Sequence, residues 1–129
     1  MRRALLVLAL ALGGLGVFAG GLAWVLNDPR PPAGASRGER LYYTFCAGCH
    51  GVDGRGSWRA ALFLIRPGDL TRAGAQPDQY LFDIIKHGGA SFGRPGMPAF
   101  GAQLSDADIQ ALVAYVKTLG SGTPAPRRP

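Results

Sequence analysis

Soft ligands are scarce in this chain: two cysteines, two histidines and two methionines, one of them the initiator, in 129 residues. That scarcity excludes whole classes. A zinc site on Cys46 and Cys49 would need further Cys or His at ligand spacing, and only His87 is left beyond the adjoining His50. A thioredoxin-like redox pair expects a βαβ surround, and no strand pairing is legible. A disulfide across two intervening residues would restrict very little chain. Internal repeats are missing, and so is any basic stripe with interleaved aromatics, so nothing points to nucleic acid. The formal charge of +6 is mostly a property of the ends, because Arg2, Arg3, Arg30, Arg127 and Arg128 lie outside the segment expected to be globular. Between Ser36 and Gly120, nine Lys/Arg face seven Asp/Glu, a net of +2.

What little soft chemistry there is sits together, in Cys46-Ala47-Gly48-Cys49-His50. C-x-x-C-H is the attachment signature of a c-type haem. Two thiols add across the vinyl groups to form thioethers, and two intervening residues let one helical turn place both sulfurs against the porphyrin edge. The next residue, His50, is then carried under the iron as the proximal ligand. The motif occurs once, so one haem is expected. An ordered core of about 85 residues is small for a purely apolar interior. A covalent haem would supply much of that core, and its two propionates would bring the domain close to neutral.

Met1-Arg2-Arg3 is followed by an uncharged apolar run of 23 residues, Ala4 to Leu26. As a helix this run is about 35 Å long, enough to cross a bilayer core of about 30 Å. Basic residues before it place the N-terminus inside and the rest outside, with Trp24 as an interfacial aromatic. The competing reading is a cleaved signal peptide, for which Val17-Phe18-Ala19 and Gly21-Leu22-Ala23 offer small-residue sites. The run exceeds the usual apolar core of about 7–15 residues, which favours a retained anchor. Either reading exports the domain, as haem c attachment outside the bacterial cytoplasmic membrane requires. No cysteine near the end of the run offers a lipid attachment point, and the Arg pair lacks a twin-arginine context. Gly16 and Gly20 form a G-x-x-x-G, open both to helix packing and to the ordinary glycine content of membrane helices. Residues 27–35, with three prolines in nine positions, form an expected semi-rigid tether holding the domain up to about 25 Å off the membrane. Residues 121–129 are Pro/Arg/Gly-rich and expected to be disordered.

Three helices are predicted between tether and tail. The first opens on the capping-box pattern Ser36-Arg37-Gly38-Glu39 and runs through Leu41, Tyr42 and Phe45 into the haem motif. The second has Pro77 at its first position and Asp78 in its first turn, buries Leu81, Ile84 and Ile85, and stops at Gly88. The third begins at Ser105, carries Asp106 and Asp108 at its positive end, buries Ile109, Leu112, Val113 and Val116, and ends at Gly120.

A helix, C-x-x-C-H, a loop, a helix, a Met-Pro loop and a last helix together resemble a class I cytochrome c from Ser36 to Gly120. The nearest likeness is to small bacterial domains ending in MPAFG…LSD.DI..LVAYVK.L. The resemblance implies an all-α haem domain whose first and last helices meet closely at Gly38, with Tyr115 beside it. It also implies Met97 as the distal ligand. Met97 is the sole methionine after the initiator, held between Pro95 and Pro98 in Arg94-Pro95-Gly96-Met97-Pro98-Ala99-Phe100. A distal thioether raises the potential relative to a second histidine. His87 is the other candidate sixth ligand, but its place beside Gly88 and Gly89 fits a helix-end role better. The His50 ring needs an acceptor for its second N–H. The resemblance implies the carbonyl of Pro67, although the stretch Trp58 to Ile65 is unusually apolar for that loop: a haem wall or a partner-docking surface. Arg55, Arg59 and Trp58 are candidates for contact with a propionate.

With both axial positions filled, the chemistry expected is outer-sphere electron transfer and no catalysis. The expectation is a single-pass, periplasm-facing, membrane-tethered monohaem carrier with redox protein partners. It would shuttle between a quinol-oxidising complex and a terminal oxidase or other reductase, or serve as a permanent subunit of one. The rival is an open distal site, peroxidase-like or gas- or redox-sensing, which carbon monoxide binding separates from a carrier. A haem-free interaction module is the third class, decided by pyridine haemochrome.

Overall fold

A computed structural model describes residues 1–120; the expectation for 121–129 falls outside the described residues. Those described are all-helical, with no strand among them. The helices are α1 (Arg2–Leu26), α2 (Arg37–Phe45), α3 (Ala47–His50), α4 (Trp58–Leu62), α5 (Asp78–His87) and α6 (Asp106–Thr118), with 3₁₀ turns at Leu70–Ala75 and Ala90–Phe92.

Helix α1 has no buried residue and is long and apolar enough to cross a membrane. The rest packs around α6, which crosses α2 and lies against α5 and the first 3₁₀ turn. The predicted periodicities translate directly into burial: Ile109, Leu112, Val113 and Val116 of α6 and Leu81, Ile84 and Ile85 of α5 join Tyr42 in one core. Among the described residues only Tyr42, Ile109 and Leu112 are fully buried large side chains, and no charged or strongly polar residue is buried, so the protein core is thin.

Caps set the helix starts. Ser36 Oγ accepts the Glu39 N–H at 3.1 Å, as the capping-box pattern predicts on its serine side. Ser105 Oγ accepts the Asp108 N–H at 3.2 Å, while Asp108 takes the Ser105 hydroxyl at 2.7 Å and Arg37 Nε at 2.5 Å. One cap therefore also ties α6 to α2. Ser105→Ala is expected to lower stability by about 1 kcal/mol, measured by denaturant melts of the holoprotein. α5 starts one residue later than predicted. Pro77 is its cap, in extended geometry with ψ 142°, and its carbonyl accepts the Leu81 N–H at 3.2 Å.

Three expectations need correction. The first helix does not run unbroken into the haem motif: α2 stops at Phe45 and the motif forms its own turn, α3, with Cys46 as the joint. The Trp58–Ile65 stretch is not a plain loop but begins as α4. Nor does the tether hold the domain clear of the anchor. Trp24 of α1 stacks on Trp58 at 4.7 Å, Arg59 Nη1 pairs with Asp28 at 2.8 Å, and Arg59 Nη2 bonds the Asn27 carbonyl. Stacking area and ion pairing outweigh the extended preference of the prolines, and residues 26–31 share a surface cleft with Tyr43 and Thr44 of α2.

Candidate haem site

The close helix crossing sits directly behind the motif. A Cβ on Gly38 would run into the Ala111 carbonyl and come within 3.1 Å of Tyr115 Cβ. This is the approach and the neighbour that the resemblance implied. One turn on from Gly38, Tyr42 is fully buried and its hydroxyl donates to the Gly51 carbonyl at 2.6 Å. Burial raises the Tyr42 pKa far above the ordinary phenol range, so the proton stays on the donor. Gly51, at φ +75°, ends α3, and a Cβ there would sit 2.8 Å from the Gly56 carbonyl. Tyr42→Phe would leave that carbonyl only its longer bond from the Gly54 N–H at 3.3 Å; a loss of about 0.5–1.5 kcal/mol is expected in melts.

Cys46, Cys49 and His50 are thus carried on one short turn whose outward backbone is also tied down. The His50 N–H reaches the Cys46 carbonyl at 2.8 Å, while the His50 and Cys49 carbonyls accept Gly56 and Ser57 N–H groups, both at 2.8 Å. Both cysteines are free thiols, Cys46 partly buried and Cys49 exposed. Burial, with Cys49 adding to it, pushes the Cys46 thiol up to about 12. Among the described residues no group of three or more His, Cys, Asp or Glu could hold a metal ion.

His50 Nδ1 lies 3.1 Å from the carbonyl of Gly68, not that of Pro67. The expected acceptor is one residue off because the 57–66 stretch folds through α4 before reaching this carbonyl. A carbonyl only accepts, so Nδ1 carries the hydrogen and Nε2 keeps its lone pair. Burial lowers the His50 pKa, the Gly68 bond opposes that, and the Arg94 charge lowers it further. The imidazole is therefore held neutral, in the tautomer a metal ligand needs.

Met97 lies partly buried against the same core that Cys46 packs on. Its segment is strapped to the end of α5. The Met97 carbonyl accepts the Gly89 N–H at 2.9 Å and its N–H reaches the Arg94 carbonyl at 3.1 Å. Phe100 and Gly101 donate to the Ile85 and Lys86 carbonyls, both at 3.0 Å, satisfying groups that a helix end leaves orphaned. Gly88, at φ +82°, and Gly89 leave room for this strap: a Cβ at 88 would be 3.1 Å from the Met97 carbonyl, and one at 89 would strike the Arg94 carbonyl. The sequence marks these glycines only as a helix stop. Arg94 is a second site residue that motif reasoning passes over. Its Nη1 lies 2.8 Å from where a Gly68 Cβ would be, so its charge sits beside the His50 acceptor.

The other candidates lie elsewhere. His87 is exposed at the last position of α5. Arg59 and Trp58 are engaged with the end of α1, while Arg55 remains exposed beside Asp53. The donor set present fits a covalent haem: two thiols one turn apart, a neutral imidazole with a free Nε2 on that turn, and a thioether in a fixed loop.

Residues 33–116 match the family model described as cytochrome c oxidase, cbb3-type, subunit III. The cbb3-type cytochrome c oxidase subunit CcoP of Azospirillum brasilense is 33% identical over 94 residues, covering 70% of this chain and 30% of that protein. Subunit FixP of Azorhizobium caulinodans is 31% identical over 94 residues, covering 73% and 30%. Subunit FixPc of Rhizobium leguminosarum bv. viciae is 30% identical over 106 residues, covering 75% and 32%. The chain therefore spans about a third of the length of these relatives. Its helical fold, its C-x-x-C-H turn and these matches agree, and the chain belongs to the c-type cytochrome family of cbb3 oxidase subunit III.

Proposed function

We propose that this chain is a membrane-tethered one-electron carrier of a respiratory chain, with a single haem c attached at Cys46 and Cys49 and ligated by His50 and Met97. It takes electrons from a quinol-oxidising complex and delivers them to a terminal oxidase of the cbb3 class, as a subunit or a close associate, and is not an enzyme by itself. Residues 1–26 form the anchor, 27–35 the connection and 36–120 the haem domain. Arg2 and Arg3 before the apolar run support an outer, periplasmic position for that domain.

The observation that carries the reading is the His50–Gly68 bond on the turn that bears both thiols. Bound haem c supplies one reversible electron at its iron. The chain's own residues do the rest. Gly68 fixes the His50 tautomer, the Gly89–Met97 strap holds the thioether without a helix, and Tyr42 locks the motif turn to α2. Held in this way, His50 and Met97 would keep reorganisation small at a bound haem and leave no open position for substrate.

The test is the optical spectrum of the full chain made in a haem c-maturing host, oxidised and reduced, with and without carbon monoxide. A low-spin spectrum with a far-red sulfur-to-ferric-iron band, indifferent to carbon monoxide, is expected. A high-spin spectrum that shifts with carbon monoxide would replace the carrier by an open-site enzyme or sensor.

A further inference from the structure

Beyond residue 26, the most exposed large apolar side chains among the described residues form one tip: Leu62, Phe63 and Leu64 are 62%, 77% and 91% exposed. Scattered surface leucines need no explanation, but three in succession at the end of a closed turn are a built feature. The tip is stapled. The Leu64 N–H bonds the Ala61 carbonyl at 3.1 Å and the Ile65 N–H the Ala60 carbonyl at 2.9 Å, the paired closure of a Schellman motif. The left-handed position of that motif ordinarily takes glycine. Here it is Leu64, at φ +57°, the one non-glycine residue with positive φ among those described. Backbone strain is thus accepted where it leaves a leucine facing outward.

A separate observation says what lies beside the tip. Trp58, at the start of α4, stacks on Trp24 with an interplanar angle of 14°, and Arg59 bonds Asp28 and the carbonyls of Asn27 and Trp24. Trp24 lies two residues from the end of α1, so α4 is fixed at the level where that helix would leave a bilayer. Tryptophan is favoured at that depth, and the exposed, basic Arg66 just after the tip suits phosphate headgroups.

We infer that the tip Leu62–Leu64 is a second membrane contact, dipping into the headgroup–acyl boundary of the bilayer that α1 spans. The inference rests on the reading of α1 as a retained anchor. The haem domain is then seated on lipid at two adjacent points and cannot swivel about residues 27–35. Its orientation towards a redox partner in the same membrane is set by its own sequence.

The test uses the full-length holoprotein in phosphatidylethanolamine–phosphatidylglycerol vesicles, with a nitroxide on Phe63→Cys or, as a control, on the exposed Gln103→Cys. Power saturation by oxygen and by a water-soluble nickel chelate reports depth, and differencing removes the constant relaxation contributed by the iron. The expected result is an oxygen-to-nickel ratio several-fold higher at 63 than at 103. Equal ratios would put the tip in water and overturn the inference. Protection from both reagents would mean that protein or haem covers the tip, and would overturn it equally. The combined variant Leu62→Ser, Phe63→Ser, Leu64→Gly should keep its haem spectrum while the label at 103 gains mobility in vesicles. A changed spectrum would assign the tip to the haem wall instead. Pyridine haemochrome on the same samples judges the haem reading separately: lipid depth at 63 without haem would sink the carrier and spare the membrane contact.

Discussion

Gly38→Ala is expected to destabilise the domain by about 3 kcal/mol, at the upper end of the usual overpacking range. The sign is the informative part. At an exposed helical site, glycine to alanine gains about 1 kcal/mol of helix propensity. Here the new Cβ meets the Ala111 carbonyl, which is backbone and cannot rotate away. Either α2 and α6 separate, or one of them bends. Separation would loosen the Tyr42–Tyr115 pair, whose ring centroids lie 5.2 Å apart, and with it the Tyr42–Gly51 bond that holds the haem-motif turn. Because the obstruction is a carbonyl, adding Ala111→Gly should give no rescue. Denaturant melts of the three holoproteins, read by circular dichroism and haem absorbance, decide it. A stabilised Gly38→Ala, or full rescue by Ala111→Gly, would show that the helices do not meet where the structure puts them. A loss of this size matters in a domain whose total stability is expected to be about 5–15 kcal/mol.

Gly38 was legible because a poor helix former in a first turn invites a packing reason, and the family resemblance gave that reason a partner. α5 and α6 were legible on elementary grounds. A 3.6-residue period is a property of adjacent positions, and serine or glycine at the ends marks where it starts and stops. α4 had only the first-end signal, its cap Ser57. Trp58-Arg59-Ala60-Ala61-Leu62 is too short for a period, and its closing left-handed residue is Leu64 where a reader looks for glycine. The Gly68 acceptor was missed for a related reason. Eighteen residues separate it from His50, and no local pattern counts register through such a loop. Tertiary pairings were the least visible. Nothing in the vicinity of Trp24 announces Trp58, and nothing about Gly89 announces that its N–H belongs to the Met97 carbonyl.

That last bond shapes the second large effect. Met97→Ala is expected to convert a protein indifferent to carbon monoxide into one that binds it stoichiometrically when reduced, with loss of the far-red band and a lower potential. The structure explains why no other side chain should step in. Phe100 and Gly101 remain bonded to the end of α5 through backbone, so the strap keeps its course when the side chain is cut and a gap is left in its place. His87, the one other imidazole, is exposed at the tip of α5, and the segment packed over Gly88 and Gly89 stands between the helix end and any new course for that ring. A six-coordinate spectrum in Met97→Ala that disappears in Met97→Ala/His87→Ala would reverse this expectation. It would mean that the strap opens and that the ligand set, rather than being fixed, can be exchanged. Five-coordinate iron in both variants would place the burden of the high potential on Met97 alone and tie it to the Gly88–Gly89 platform. Substituting alanine for Gly89 should then weaken the far-red band without touching either ligand, because the strap could no longer lie against Arg94 as it does.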